Sequence, residues 1–220
     1  MITPEFVKHS GELGKLVNLR HEFGKTYEIR ELESIRWLLI NNTLQTIVHR
    51  EHPEYFQLPH LQKLEQIWTK LPDPKTILEV GLGGGAIRNY CLDTYSHCTI
   101  DTIEIDPVIL ELYQQYFALP NQQGVLVQND INTHTFGKKY DWIIVDLFSQ
   151  QACPTFLFHP DFYIHIKQAS KIGCWLFINF ICDNAQQLER LIAILTEVFS
   201  SKVDVHSIEH YANKIIVLNF

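Results

Sequence analysis

Paired cysteines are missing from this chain. Its five cysteines, Cys91, Cys98, Cys153, Cys174 and Cys182, contain no C-x-x-C pair, and their number is odd. That spacing excludes a disulfide framework and a zinc ribbon, and it points to reduced thiols in a cytoplasmic protein. His134, His159 and His165 are also not spaced as metal ligands, so no metal is expected. A basic excess is lacking too. Eighteen Lys and Arg stand against 25 Asp and Glu, a net charge of −7, which excludes the footprint of a nucleic-acid binder. The first residues, MITPEFVKHSGELGK, have no apolar stretch of the signal-peptide kind. The longest apolar run, near Cys174 to Cys182, is too short to span a bilayer and contains Asn179, so no membrane contact is expected. Repeats and low-complexity segments are absent. What is present is a 220-residue chain with 46% hydrophobic residues, enough for one large domain or a domain with a small appendage.

Two patterns divide the chain. Residues 1–55 carry short β-like stretches (LVNLRHEF, TYEIREL, RWLLI, LQTIVHR), with Asn41-Asn42 between two apolar runs. Asparagine tolerates the positive φ of a tight hairpin turn, so antiparallel hairpins are expected. A piece this small lacks a full core and must pack on the larger domain or on a second subunit. Residues 56–74 read as a linking helix from Leu58 to Leu71, with Leu61, Leu64, Ile67 and Trp68 at helical spacing and Pro72 and Pro74 ending it. Residues 75–220 alternate strand and helix: ILEVG, AIRNYCLDTY, CTIDTIEID, PVILELYQQYF, GVLVQND, DWIIVDLF, PDFYIHIKQASK, CWLFINF and NAQQLERLIAILTEVF, closed by two strands in KVDVHSIEHYANKIIVLNF. Such alternation demands a mostly parallel sheet with helices on both faces. The final antiparallel hairpin resembles the ending of class I methyltransferase folds, a Rossmann-type α/β architecture with seven strands.

The sharpest local signal is Glu79-Val80-Gly81-Leu82-Gly83-Gly84-Gly85-Ala86, between a predicted strand and a predicted helix. Gly81, Gly83 and Gly85 let the backbone turn tightly and approach a ligand. The next strand ends Ile103-Glu104-Ile105-Asp106, where an acid accepts hydrogen bonds from ribose hydroxyls. Glu104 takes that role, as an exposed strand-end acid whose removal abolishes nucleotide binding and costs little folding stability. Asp106 is the N-cap of the helix begun by Pro107. Asp130 ends the third strand and is either an acceptor for an adenine amino group or a turn cap. Asp146 ends the fourth, facing the reacting end of the ligand, whereas Asp141 at its start reads as a surface turn residue. The glycine loop has no Lys or Arg and no GK[ST] ending, which excludes a phosphate-binding loop. An acid-lined site suits a cationic, phosphate-free sulfonium nucleoside.

The order of these motifs resembles the spermidine synthase family over almost the whole chain. Leu39-Ile40-Asn41-Asn42-Thr43-Leu44-Gln45 resembles its N-terminal hairpin, with Gln45 at its nucleotide-binding glutamine. Tyr55 falls near its substrate-pocket tyrosine, one residue further along. Glu104, Asp130 and Asp146 match its ribose acid, its adenine-side aspartate and the aspartate that prepares the attacking amine. Leu157-Phe158-His159-Pro160-Asp161-Phe162-Tyr163 resembles the opening of its next helix. The resemblance implies a homodimer, here through the N-terminal hairpins, and transfer of an aminopropyl group from decarboxylated S-adenosylmethionine to a small-molecule amine.

The chain also departs from that pattern. Gly84 stands where the family's loop aspartate holds the aminopropyl amine. Ser149 replaces a second aspartate, Phe56 a histidine, and Ile178 a late glutamine. Glu79 stands where the family is apolar and many methyltransferases are acidic, giving it a place near the donor's amine. Three functions therefore remain open: an aminopropyltransferase, a small-molecule methyltransferase using S-adenosylmethionine itself, or a nucleotide-binding protein without catalysis. In either reaction Asp146 orients or deprotonates the amine and Tyr55 positions it. His134, His159 and His165 are alternative bases by residue type, and each also reads as an ordinary surface or helix histidine.

Overall fold

The computed structural model describes residues 2–120, 123–147, 154–181 and 184–220. After a short helix α1 (Pro4–His9), four strands, β1 (Lys15–Glu22), β2 (Lys25–Leu32), β3 (Ile35–Ile40) and β4 (Thr43–His49), form an antiparallel meander in the order β1-β2-β3-β4. Asn41 and Asn42 join β3 to β4 with φ of 48° and 61°, the left-handed pair that a two-residue hairpin requires. Helix α2 (Pro59–Trp68) follows.

The second sheet alternates with helices: β5 (Thr76–Val80), α3 (Ala86–Thr94), β6 (Thr99–Glu104), α4 (Pro107–Tyr116), β7 (Leu126–Gln128), β8 (Tyr140–Val145), a 3-10 turn at Thr155–Phe158, α5 (Pro160–Gln168), β9 (Ser170–Ile181), α6 (Ala185–Phe199), β10 (Asp204–Ser207) and β11 (Asn213–Asn219). The strand order is β10-β11-β9-β8-β5-β6-β7, parallel from β7 to β9, with β11 antiparallel to both of its neighbours. This is the seven-stranded class I methyltransferase topology. Strand β5 has β6 on one side and β8 on the other, so the chain order reverses there. Ligands of open α/β sheets bind above the carboxyl ends of the strands at such a reversal.

Side chains alternate across this sheet and build two cores. Ile77, Trp142, Ile144, Phe177, Ile215 and Val217 face α2, α3, α4 and the N-terminal meander. Their neighbours Leu78, Ile143, Val145, Leu176, Ile178 and Ile216 face α5 and α6. Each strand buried on both faces therefore reads as a continuous apolar run.

The N-terminal meander is covered by its own chain. Tyr27, Ile29, Trp37 and Ile47 are fully buried and continuous with the core of α2, α3 and α4. Polar contacts fix its angle on α4: Asn18 to the Tyr116 hydroxyl at 3.1 Å, Arg20 to Glu111 at 2.8 Å, and Arg36 to the Tyr116 carbonyl. Helix α1, which the sequence reading did not foresee, covers Trp37 with Phe6, their rings 5.2 Å apart.

Two further readings need correction. Asp141 is a latch: one carboxylate oxygen accepts from the amides of Lys75 and Thr76 at 3.0 and 2.8 Å, and the other pairs with Lys171 at 2.9 Å. It ties the start of β5 to β8 and β9. Strand β9 begins at Ser170 rather than Cys174, absorbing residues read as the end of α5.

Candidate functional site

A cavity of about 680 Å³ opens above the carboxyl ends of β5, β6, β8 and β9, closed on its other side by β3, β4, the start of α2 and the turn before β11. The size is that of a site for a small-molecule ligand. Its walls carry Glu104, Asp106 and Asp146, with Lys25 the one Lys or Arg among the described lining residues.

The glycine loop forms the floor. Gly81 has φ +91°, and a Cβ on it would sit 2.2 Å from the Asp146 carbonyl oxygen. Only glycine lets β5 leave the sheet so close to the end of β8. The Gly81 amide donates to the Ile103 carbonyl at 2.9 Å, and the Leu82 amide donates to Glu104 Oε2 at 3.0 Å. The Asp106 amide donates to Glu104 Oε1 at 2.9 Å. Glu104 is therefore buried, 7% exposed, and locked by two backbone donors. Burial raises its carboxyl, opposed by those two donors. Each oxygen keeps a second lone pair for a ligand hydroxyl. The expectation of an exposed strand-end acid is corrected: the carboxylate is buried and accepts from the Leu82 and Asp106 amides.

Asp106 caps α4 through the Val108 amide at 3.0 Å, as its position before Pro107 implied. Its other oxygen receives Lys25 Nζ at 2.7 Å and the Tyr27 hydroxyl at 2.6 Å. Burial alone would raise the Asp106 carboxyl, but these two donors outweigh it and hold the group below its ordinary value. Lys25 thus brings the N-terminal meander to the rim of the cavity.

At the far end Asp146 is half-buried, its Oδ1 accepting from Asn179 Nδ2 at 2.7 Å. Asn179 Oδ1 in turn accepts from Asn213 Nδ2 at 2.9 Å. His60, from the first turn of α2, lines the same end together with Tyr211. Burial lowers the His60 imidazole, while the Asp146 charge pulls it back up.

The cavity brings together Gln45, Gly81, Gly83, Glu104 and Asp146 from the sequence-derived set, and Gly84 with them. Four others are elsewhere. Glu79 is 1% exposed behind the loop, accepting from the Thr102 hydroxyl, which itself accepts from Arg88 at 3.0 Å. Burial pushes its carboxyl up to about 8, so this acid is neutral over much of the range where a strand-end carboxylate is charged. Gly85 serves packing: at φ +70° it lets Tyr113 approach to 2.0 Å from where a Cβ would be. Asp130 accepts from the amide and side chain of Asn132, both at 2.9 Å, the turn-cap alternative. Tyr55 is 59% exposed and stacks on His52, outside the cavity wall. Of the alternative bases, His134 and His165 pack on Phe136 and His159 is exposed before α5. Ser149 lies outside the described residues.

Sequence reasoning missed His60, Asn179, Asn213, Tyr211 and Lys25. The departure at Ile178 is one residue out of phase with the chemistry: Ile178 is fully buried toward α5 and α6, and its neighbour Asn179 faces the site. Phe56 fills core space, stacked on Tyr90 at 4.4 Å.

No family model matches the chain. The polyamine aminopropyltransferase of Vibrio vulnificus is 31% identical over 103 residues, covering 44% of this chain and 34% of that protein. An eEF1A lysine and N-terminal methyltransferase homolog of Drosophila pseudoobscura is 27% identical over 169 residues, 69% of this chain and 25% of that protein. The matches thus span about a third of one of these relatives and a quarter of the other. A probable spermidine synthase from Corynebacterium glutamicum superposes with a TM-score of 0.75 at 15% identity, over 94% of this chain and 80% of that one. Motif order, strand topology and these similarities converge on the class I methyltransferase fold, and over part of its length the chain is similar both to a polyamine aminopropyltransferase and to an eEF1A methyltransferase homolog.

Proposed function

We propose that the chain transfers a methyl group from S-adenosylmethionine to a small amine. The observation that carries this reading is the pair Gly84–Thr46. The aminopropyltransferase pattern needs an aspartate in the loop to hold the donor's aminopropyl amine. Here a Cβ at Gly84 would lie 2.0 Å from the Thr46 methyl, so the buried Thr46 side chain occupies the space such an aspartate needs. The donor's amino-acid end then meets a hydroxyl and backbone amides, which suit a carboxylate. The acids along the cavity suit a cationic sulfonium, with Glu104 placed for the ribose hydroxyls. Catalysis asks mainly for nitrogen, carbon and sulfur in line.

A second reading, aminopropyl transfer from the decarboxylated donor, is favoured by Asp146 in the cavity and by the Vibrio vulnificus relative. Calorimetric titration with each donor separates the two. Tighter binding of S-adenosylmethionine is expected, by about ten-fold or more, the equivalent of ~1.4 kcal/mol. Preference for the decarboxylated form selects aminopropyl transfer, and binding of neither sinks both.

A further inference from the structure

We propose that His60 is the proton acceptor of this site and that Asp146, held by an Asn213–Asn179 amide relay, is the anchor for a protonated amine. The inference rests on the alkyl-transfer reading above and adds the division of labour at its acceptor end.

Three observations carry it. His60, in the first turn of α2, lines the same cavity as Asp146, the residue that follows β8. Neither of its ring nitrogens is engaged by a hydrogen bond to the described residues. Asp146 has one oxygen engaged by Asn179, and the orientation of that amide is set by Asn213 behind it. Asp146 Oδ2 makes no hydrogen bond to the described residues and is left for a cation. The other charged or titratable groups on the cavity walls are Lys25 at the start of β2, Glu104 and Asp106 at the end of β6, and Tyr211 before β11. Asp146 is the one whose charge acts on the His60 ring. Burial keeps the imidazole neutral near pH 7, the state needed to take a proton.

The step balances. An amine arrives as R–NH3+, attracted to the Asp146 carboxylate. His60 takes one proton and becomes imidazolium beside that carboxylate. The freed nitrogen lone pair forms the N–C bond while the C–S bond breaks, its electron pair staying on sulfur. The positive charge passes from sulfonium to the product ammonium, and His60 returns its proton to water.

The test uses the whole chain with S-adenosylmethionine and two probe amines, n-butylamine and 1,4-diaminobutane. The expected wild-type kcat rises along an acidic limb as pH increases. His60→Gln is expected to lower kcat about ten-fold or more, to erase that limb, and to leave calorimetric donor affinity unchanged. Asn179→Leu is expected to raise the KM for the amine while keeping the limb. Retention of both kcat and the limb in His60→Gln overturns the proposal. A second measurement needs no turnover. The His60 ring resonance, assigned by its loss in His60→Gln, is expected to titrate below the ordinary 6.5 and to fall further in Asp146→Asn. A ring that titrates at its ordinary value and ignores Asp146→Asn also overturns it. Donor binding without transfer to either amine removes the transfer reading, while the His60–Asp146 coupling is still decided by the resonance.

Discussion

The two ends of the cavity are built differently. The proposed ribose end comes from one βαβ stretch: glycine loop, Glu104 and Asp106 lie within 26 residues and hold one another through backbone amides. The acceptor end takes His60, Asp146, Asn179 and Asn213 from four separate segments, joined only by side-chain hydrogen bonds and packing. A site wired through the backbone is rigid and hard to change. A site made of convergent side chains is free to vary its chemistry on a fixed fold.

The largest expected effect strikes where the two ends meet. Gly81→Ala places a methyl against the Asp146 carbonyl at positive φ, and strain plus overpacking should cost about 4 kcal/mol, read from urea unfolding. Glu104→Ala comes next. Donor affinity should fall about 100-fold, ~2.7 kcal/mol, and stability by about 2 kcal/mol because the Leu82 and Asp106 amides lose their acceptor. A wild-type unfolding midpoint in that variant would break the comparison, since the ribose end would no longer depend on its own acid.

Behind the loop, Glu79 links pH to stability. Its carboxyl is raised from 4.5 to about 8 by burial, so the folded chain holds a proton the unfolded chain has lost. Stability from this group is full below 4.5 and declines as pH rises toward 8. A full shift of that size corresponds to roughly 5 kcal/mol; relaxation around a buried charge should reduce the loss to on the order of 2 kcal/mol. Unfolding in Glu79→Gln should lack that slope. The smallest effect is Lys25→Ala, about 1 kcal/mol in donor affinity or less, because Tyr27 still holds Asp106. Gly84→Asp sharpens the comparison from the donor side. It should bind neither donor well by itself, and Gly84→Asp with Thr46→Gly should gain affinity for the decarboxylated form in the same calorimetric assay.

Legibility followed the same divide. Asn41-Asn42 between apolar runs, four glycines after a strand, and Asp106 before Pro107 each act within a few residues, and local rules read them. Glu104 lines the cavity as its strand-end position suggested, but its burial was not legible, because nothing in Ile103-Glu104-Ile105 tells that the Leu82 amide folds back onto it. Glu79 and Asp130 looked like ligand acids because they stand in the right motifs. Strand phase turns Glu79 toward α3 and Thr102, and the following turn captures Asp130. His60 gave no signal beyond following Pro59, and Asn179 was hidden inside an apolar strand.

The sequence by itself determined the α/β order, the Asn41-Asn42 hairpin turn and the glycine loop between β5 and α3, because periodicity, capping and turn chemistry operate over short spans. The tertiary structure alone decided that Thr46 fills the space beside Gly84, that His60 and Asp146 line one cavity, and that two asparagines orient that carboxylate. The residues concerned stand 33 to 86 positions apart, and the pairing of β8, β9 and β11, with the packing of the meander and α2 onto the sheet, brings them together.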